Sequence, residues 1–156
     1  MEIRYRKAET KDVPELVRLR IEFLGVARNK ALPPELIAVL QMTNAEYMTA
    51  GLLDGSLVVF IAEDEGKIIA TSGITFFRHM PNPIYPDGRR ATVANMYTLP
   101  KYRRQGIATE LVRLQLEEAR ARGLKAVTLS ATDDGRPVYE KYGFENVDDE
   151  MIYRFS

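Results

Sequence analysis

The sequence predicts a mixed α/β domain whose strands are joined both by a hairpin and by a helical crossover. Three observations carry that prediction. The hydrophobic period switches repeatedly between helical and strand spacing along the chain. The elements then read in the order β α α β β β α β α β, which is the order of a mixed architecture. The composition is 46% apolar and 28% charged over 156 residues, ordinary for a soluble chain long enough to bury a core. No internal repeat, low-complexity segment or Ser/Gly linker interrupts it, so one domain over residues 1–156 is expected.

"EIRYRK" alternates as a first strand. "TKDVPELVRLRIEFLG" reads as a helix with Thr10 as N-cap, Asp12 and Glu15 in the first turn, and Gly25 past its end. Val13, Leu16, Leu19 or Arg20, and Phe23 recur at helical spacing along it. A second helix begins after Pro33 and Pro34, with Leu36, Ile37, Leu40, Tyr47 and Met48 expected on its inner side. "SLVVFIAED", the turn "EGK" and "IIATSGITFFR" form a hairpin. "HMPNPIYPDG" holds three prolines and a glycine and is an irregular loop. "RRATVANMYTL" is the next strand. "GIATELVRLQLEEARARG" is a helix with Ile107, Leu111, Leu114 and Leu116 or Glu118 approximating its inner face. "KAVTLSA" is a short buried strand, "DGRPVYEKYG" a short helix, and "VDDEMIYRF" a closing strand.

Composition excludes several functions. Lys+Arg and Asp+Glu both number 22, which argues against a general nucleic-acid binder. No cysteine is present, so disulfides, zinc-thiolate sites and thiol nucleophiles are out. A single histidine, His79, leaves no histidine-rich metal site, and no metal is expected. "MEIRYRKAETKD" has no apolar h-region, and no apolar run approaches the roughly 18 residues of a membrane span, so a cytoplasmic protein with no membrane partner is expected.

One stretch, "LPKYRRQGIATELV", carries chemistry. Lys101, Arg103 and Arg104 stand just before Gly106 and Ala108, between a strand and a helix. A helix start leaves backbone N–H groups unpaired and carries partial positive charge, so an anion is its natural partner. Gly106 permits close approach or positive φ, Ala108 keeps the next turn clear, and the arginines can meet phosphate oxygens. The stretch therefore asks for a phosphate or pyrophosphate. It is neither a Walker A loop nor a G-x-G-x-x-G fingerprint. Read alone, it equally fits a helix start with solvated arginines.

"YTLPKYRRQGIATELV" resembles the acetyl-CoA-binding motif of the GNAT acyltransferase superfamily: strand, hydrophobic-x-Pro, then [RQ]-x-x-G-x-[GA], then helix. Arg103, Gly106 and Ala108 match, and Pro100 stands at the usual proline. Downstream, "VYEKYGFENV" resembles the family's C-terminal "lYeklGFe" signature. The order of elements matches too, so the resemblance covers essentially the whole chain. It implies a GNAT fold: a central, mostly antiparallel, twisted sheet with a β-α-β acetyl-CoA-binding crossover and helices on both faces.

The resemblance implies that acetyl-CoA is co-substrate and that its acetyl group passes to a primary amine of a small-molecule or protein acceptor, by direct attack in a ternary complex. The pantetheine arm would lie along Met96, Tyr97 and Thr98. The pyrophosphate would be held by the loop through Arg103, Arg104, Gln105, Gly106, Ile107, Ala108 and Thr109. Tyr139 would protonate the departing thiolate; a tyrosine with pKa about 10 stays protonated at neutral pH. Tyr142 lies three residues on, but Tyr139 stands four before Gly143, as in the signature. A strand N–H near Tyr97 would stabilise the developing oxyanion.

Two positions depart from the family pattern. Val127 stands where some members carry a glutamate, and Thr132 replaces an asparagine, leaving a hydroxyl for a weaker cofactor contact. The base is therefore open among Glu22, His79, Asp87 and, through water, strand carbonyls. Asn95 and the loop around Tyr85 are candidates to line the acceptor pocket. Homodimers are common in the family, so a second copy is a candidate partner, although the residues themselves do not specify an oligomeric state. A non-catalytic acyl-CoA sensor on the same fold is the alternative; the tyrosine at 139 favours the enzyme.

Overall fold

The computed structural model of the protein describes residues 2–147 and 149–156. Its centre is the hairpin of β2 (Leu57–Asp64) and β3 (Lys67–Arg78). Glu65 and Gly66 close it with φ of 51° and 80°, the paired left-handed turn that matches strand twist. β1 (Ile3–Lys7) adds antiparallel to β2, and β4 (Arg89–Thr98) adds antiparallel to β3. β5 (Thr128–Leu129) pairs parallel with β4, giving the order β1-β2-β3-β4-β5. This parallel pair is the crossover the sequence predicts, and α3 (Ile107–Ala121) spans it.

The sheet has a core on each face because β2 is apolar at every position from Leu57 to Ala62. Val58, Phe60 and Ala62 pack with Ile107, Leu111 and Ala119 of α3. Leu57, Val59 and Ile61 pack with Val13, Leu16, Val17 and Leu19 of α1 (Val13–Ala27) and Met48 of α2 (Pro34–Asp54). α4 (Arg136–Tyr142) follows β5 and ends at Gly143.

Several expectations are corrected. Thr10 opens a turn of 3-10 helix instead of capping α1, whose N-cap is Asp12. α1 runs through Gly25 to Ala27, and the left-handed residue after it is Asn29 (φ 53°). On α2, Leu36 and Tyr47 face outward, because apolar residues are spread around the whole helix among polar ones and give no inner stripe to read. The closing strand "VDDEMIYRF" does not form among the described residues (Asp148 lies outside them). Met151, Ile152, Tyr153 and Phe155 are exposed, and the two-residue β5 offers almost no ladder for a returning strand to extend.

β1, β2 and the start of α1 are tied by one ionic cluster. Arg6 donates to both carboxylate oxygens of Asp12 at 2.9 Å and to Glu63 Oε1 at 2.6 Å. The Glu9 backbone N–H donates to Asp12 at 2.8 Å. The Arg6 guanidinium holds the Asp12 carboxyl below the usual range, against the opposing effect of burial. A depressed carboxyl contributes stability above its unfolded value near 4, lost as pH falls through the folded value. Asp12→Asn is expected to lower the unfolding free energy at neutral pH by about 2 kcal/mol in urea titrations. It should also flatten the acid limb of stability below pH ~4; an unchanged acid limb would contradict this assignment.

Candidate active site

The site begins at an irregularity in β4. Ala94 pairs with Gly73 and Tyr97 with Thr71, so Asn95 and Met96 together face Ser72 alone. This is a β-bulge, and Asn95 takes it in the left-handed region at φ 65°. Side chains alternate along a strand, so Val93 and Tyr97 would share a face in a regular one. Here Val93 packs under α3 and Tyr97 under α1 and α2. The bulge thus turns Tyr97 onto the α1 face. β4 pairs with β5 only at Thr92 and Val93. From Ala94 onward the β5-facing edge of β4 has no strand beside it among the described residues, and Ala94 is exposed in an interior strand.

That open edge leads into the loop before α3. Leu99 donates its N–H to Ile69 O at 2.9 Å, and the Tyr102 hydroxyl donates to Asp64 at 2.7 Å, fixing the loop to the β2–β3 hairpin. Arg104 and Gly106 are both left-handed, at φ 61° and 79°. Two such residues so close curl successive N–H groups into a concavity, the backbone form that holds anions. Gly106 is the N-cap of α3, and no side chain caps the helix. A Cβ at Gly106 would have nothing within 4 Å, so the space above the helix start is open. Glu110, in the first turn, is drawn aside by Arg113 at 2.7 Å. The cations are less free than the sequence suggests. Arg103 donates from Nε to Thr98 O at 3.0 Å, and Lys101 Nζ lies 5.2 Å from the Tyr102 ring centre.

On the α1 face, the Tyr97 hydroxyl donates to Glu22 Oε2 at 2.6 Å. The Phe23 ring lies 5.7 Å away, and Arg18 reaches Glu22 at 3.8 Å. Burial, and then the Glu22 carboxylate, push the Tyr97 hydroxyl up to about 12. The structure therefore joins two predicted residues, Glu22 and Tyr97, that are far apart in sequence.

Tyr139 is buried on α4, its ring edge-on to Phe144 at 5.7 Å. Burial pushes its hydroxyl up to about 12, so it is protonated throughout the neutral range. Thr132 has a local role as well: its hydroxyl accepts from the Gly135 N–H at 3.1 Å at the approach to α4.

The remaining candidates lie elsewhere. His79, Tyr85 and Asp87 occupy the β3–β4 loop, before the first residue of β4, whereas the bulge lies toward its far end. His79 is tied to that loop through its N–H to Gly88 O at 2.8 Å, and Tyr85 lies beneath Arg90. Sequence reasoning missed Ser72 and Gln115, which are fully buried and joined at the bulge at 2.6 Å. Gln115 stands four residues after Leu111, on the line the apolar face follows, where it reads as an imperfection of the stripe.

Residues 18–144 match the family model described as the Acetyltransferase (GNAT) family, and the chain belongs to that family. A predicted acetyltransferase from Clostridium acetobutylicum, whose crystal structure was determined with acetyl-CoA, is 33% identical. It superposes with a TM-score of 0.90, over 98% of this chain and 96% of that one. A GCN5-related N-acetyltransferase from Ralstonia eutropha JMP134 shares the fold at TM-score 0.88 and 24% identity, over 99% of each chain. The uncharacterized N-acetyltransferase YjgM of Escherichia coli (strain K12) is 29% identical over 92 residues, 57% of this chain. The chain spans about half the length of that curated relative, 52%. Among the described residues, no helix is long and apolar enough to cross a membrane, and no group of three or more His, Asp or Glu side chains is placed to hold a metal ion.

Of the tyrosines raised above the usual phenol range, Tyr97 and Tyr139 are raised the most, with a measurable consequence. A phenol whose folded pKa exceeds its unfolded value near 10 contributes stability below that value and loses it as pH rises through the folded one. Stability is therefore expected to fall between pH 10 and about 12. Tyr97→Phe and Tyr139→Phe should each flatten part of that loss in urea titrations; parallel curves for wild type and both variants would contradict the two assignments.

Proposed function

We propose that the protein transfers the acetyl group of acetyl-CoA to a primary amine. The observation that carries this reading is the alignment of an open, uncapped helix start at Gly106 with the unpaired edge of β4. The Clostridium relative, whose structure contains acetyl-CoA, supports the choice of co-substrate.

In this reading the N–H groups of Arg104 through Thr109 hold the pyrophosphate, where the helix start supplies unpaired donors and positive potential. Arg103 acts through the field more than by contact, because its Nε is engaged by Thr98 O. The backbone of Met96, Tyr97 and Thr98 pairs with the pantetheine arm in place of a strand. Acetyl-CoA supplies the thioester carbonyl that the amine attacks. A bulge N–H donates to its oxygen as negative charge develops there. The amine nitrogen bonds to the acetyl carbon, the C–S bond breaks, and the sulfur takes the hydroxyl proton of Tyr139.

The acceptor approaches from the α1 face. Glu22 presents a partly exposed carboxylate beside Tyr97 and attracts an ammonium group. With Val127 at the position of the family's occasional glutamate, Glu22 is our choice for accepting the acceptor's proton, directly or through water. Asn95, on the bulge itself, lines the approach.

Isothermal titration should show acetyl-CoA binding that Gly106→Val abolishes, since a branched side chain at φ 79° both strains the loop and fills the open space. Turnover against a panel of amines, read by thiol release, should fall at least about 100-fold in Tyr139→Phe with acetyl-CoA affinity unchanged. Binding without turnover on any amine would favour an acyl-CoA sensor, and undiminished turnover in Tyr139→Phe would refute the acid role.

A further inference from the structure

Buried side-chain polar atoms without partners are uncommon in folded proteins. Among the described residues there are four: Arg90 Nε lies near the start of β4, and the other three, on Thr71, Asn95 and Gln115, surround the β4 bulge. Thr71 and Asn95 flank the pairing break itself. Gln115 lies in the middle of α3 with 0% exposure and donates from Nε2 to Ser72 Oγ at 2.6 Å. Ser72, also at 0%, is the one β3 residue that faces both bulge residues. Every other fully buried position on this face of α3 is apolar: Ile107, Leu111, Val112 and Ala119. A leucine or methionine at 115 would continue that face without stranding an amide oxygen. A buried amide that leaves its oxygen unpartnered and gives its one hydrogen bond among the described residues to the residue beneath the bulge is best explained by what the bulge does.

We propose that Gln115 is a positioning residue: through its hydrogen bond to Ser72 it holds the β4 bulge in register and so aims the bulge N–H groups at the thioester carbonyl. This role rests on the acetyl-transfer reading above. The hydrogen bond provides direction that apolar packing lacks. Ser72 is the pivot of the mismatch, with two residues opposite it, so β4 has an alternative in which the extra residue migrates along the ladder. Migration by two positions, to Tyr97 and Thr98 opposite Ala70, would carry Tyr97 back to the α3 face and away from Glu22. A hydroxyl fixed from above by a rigid helix opposes that slip.

The test compares wild type, Gln115→Met, Ser72→Ala and the double variant. Methionine retains the length and volume of glutamine, so the fold should persist with an unchanged or higher Tm. In the free protein, amide hydrogen exchange at residues 95–97 should quicken by about tenfold in each single variant, with exchange elsewhere on β4 unaltered. The double variant should match the singles, because both cut the same bond. With [1-13C]acetyl-CoA, the bound carbonyl resonance should move downfield in wild type and lose roughly half of that displacement in Gln115→Met, at similar affinity. Unchanged exchange at 95–97 would overturn the proposal whatever acetyl-CoA does. Faster exchange with a fully retained carbonyl displacement would overturn it too, leaving Gln115 a structural residue. Failure of wild type to bind acetyl-CoA would overturn the acetyl-transfer reading, and this role with it, even if exchange at the bulge had quickened.

Discussion

The arrangement depends on one unpaired residue in β4. The ladder between β3 and β4 is continuous on both sides of the bulge, so the extra residue cannot be absorbed gradually. It changes the parity of everything downstream. Without it, Tyr97 would enter the α3 core, and Glu22 on α1 would have no strand residue to meet. With it, one strand serves two cores: Val93 belongs to the α3 side and Tyr97 to the α1 side. The same local kink coincides with the point where β5 leaves β4, so the place at which the sheet opens is also the place at which its side chains change sides.

The loop after β4 extends this logic into backbone electrostatics. A helix start normally acquires a side-chain cap, and α3 has none. The loop is nevertheless well anchored, through Tyr102 to Asp64 and through Arg103 to Thr98. Order comes from these side chains while the N–H groups remain uncommitted. That division explains why the basic residues look more important in the sequence than in the fold. Arg103 and Lys101 spend part of their bonding capacity on the protein itself, and the concavity formed by Arg104 and Gly106 is a property of φ angles.

Much of the fold was legible because its signals are local. The β2–β3 turn, the crossover helix and the glycine at its start each follow from neighbouring residues. The misreadings arise where context decides. The apolar residues of α2 form no single stripe, so its inward face is chosen by β2 and α1 and not by its own pattern. "VDDEMIYRF" has strand-like residues, yet a strand needs a neighbour, and β5 supplies two residues. Motif spacing proposes Gly106 and Tyr139, and the structure gives Gly106 a left-handed N-cap and Tyr139 a buried place on α4. The bulge was not, because a parity change leaves no mark in composition. Gln115 was hidden for a related reason: a polar residue on an apolar stripe reads as an imperfection until its partner, Ser72, is seen beneath it. His79 illustrates the converse. Its chemistry is apt for a base, but its loop lies at the other end of β4.

We propose that one continuous backbone surface, from the open edge of β4 to the first turn of α3, receives acetyl-CoA. The most direct measurement is a backbone amide chemical-shift titration of the protein with acetyl-CoA. The largest shifts are expected at residues 96–98 and 104–109, with the β3–β4 loop from His79 to Gly88 unaffected. Shifts centred on that loop, or shifts at 104–109 with residues 96–98 silent, would contradict it.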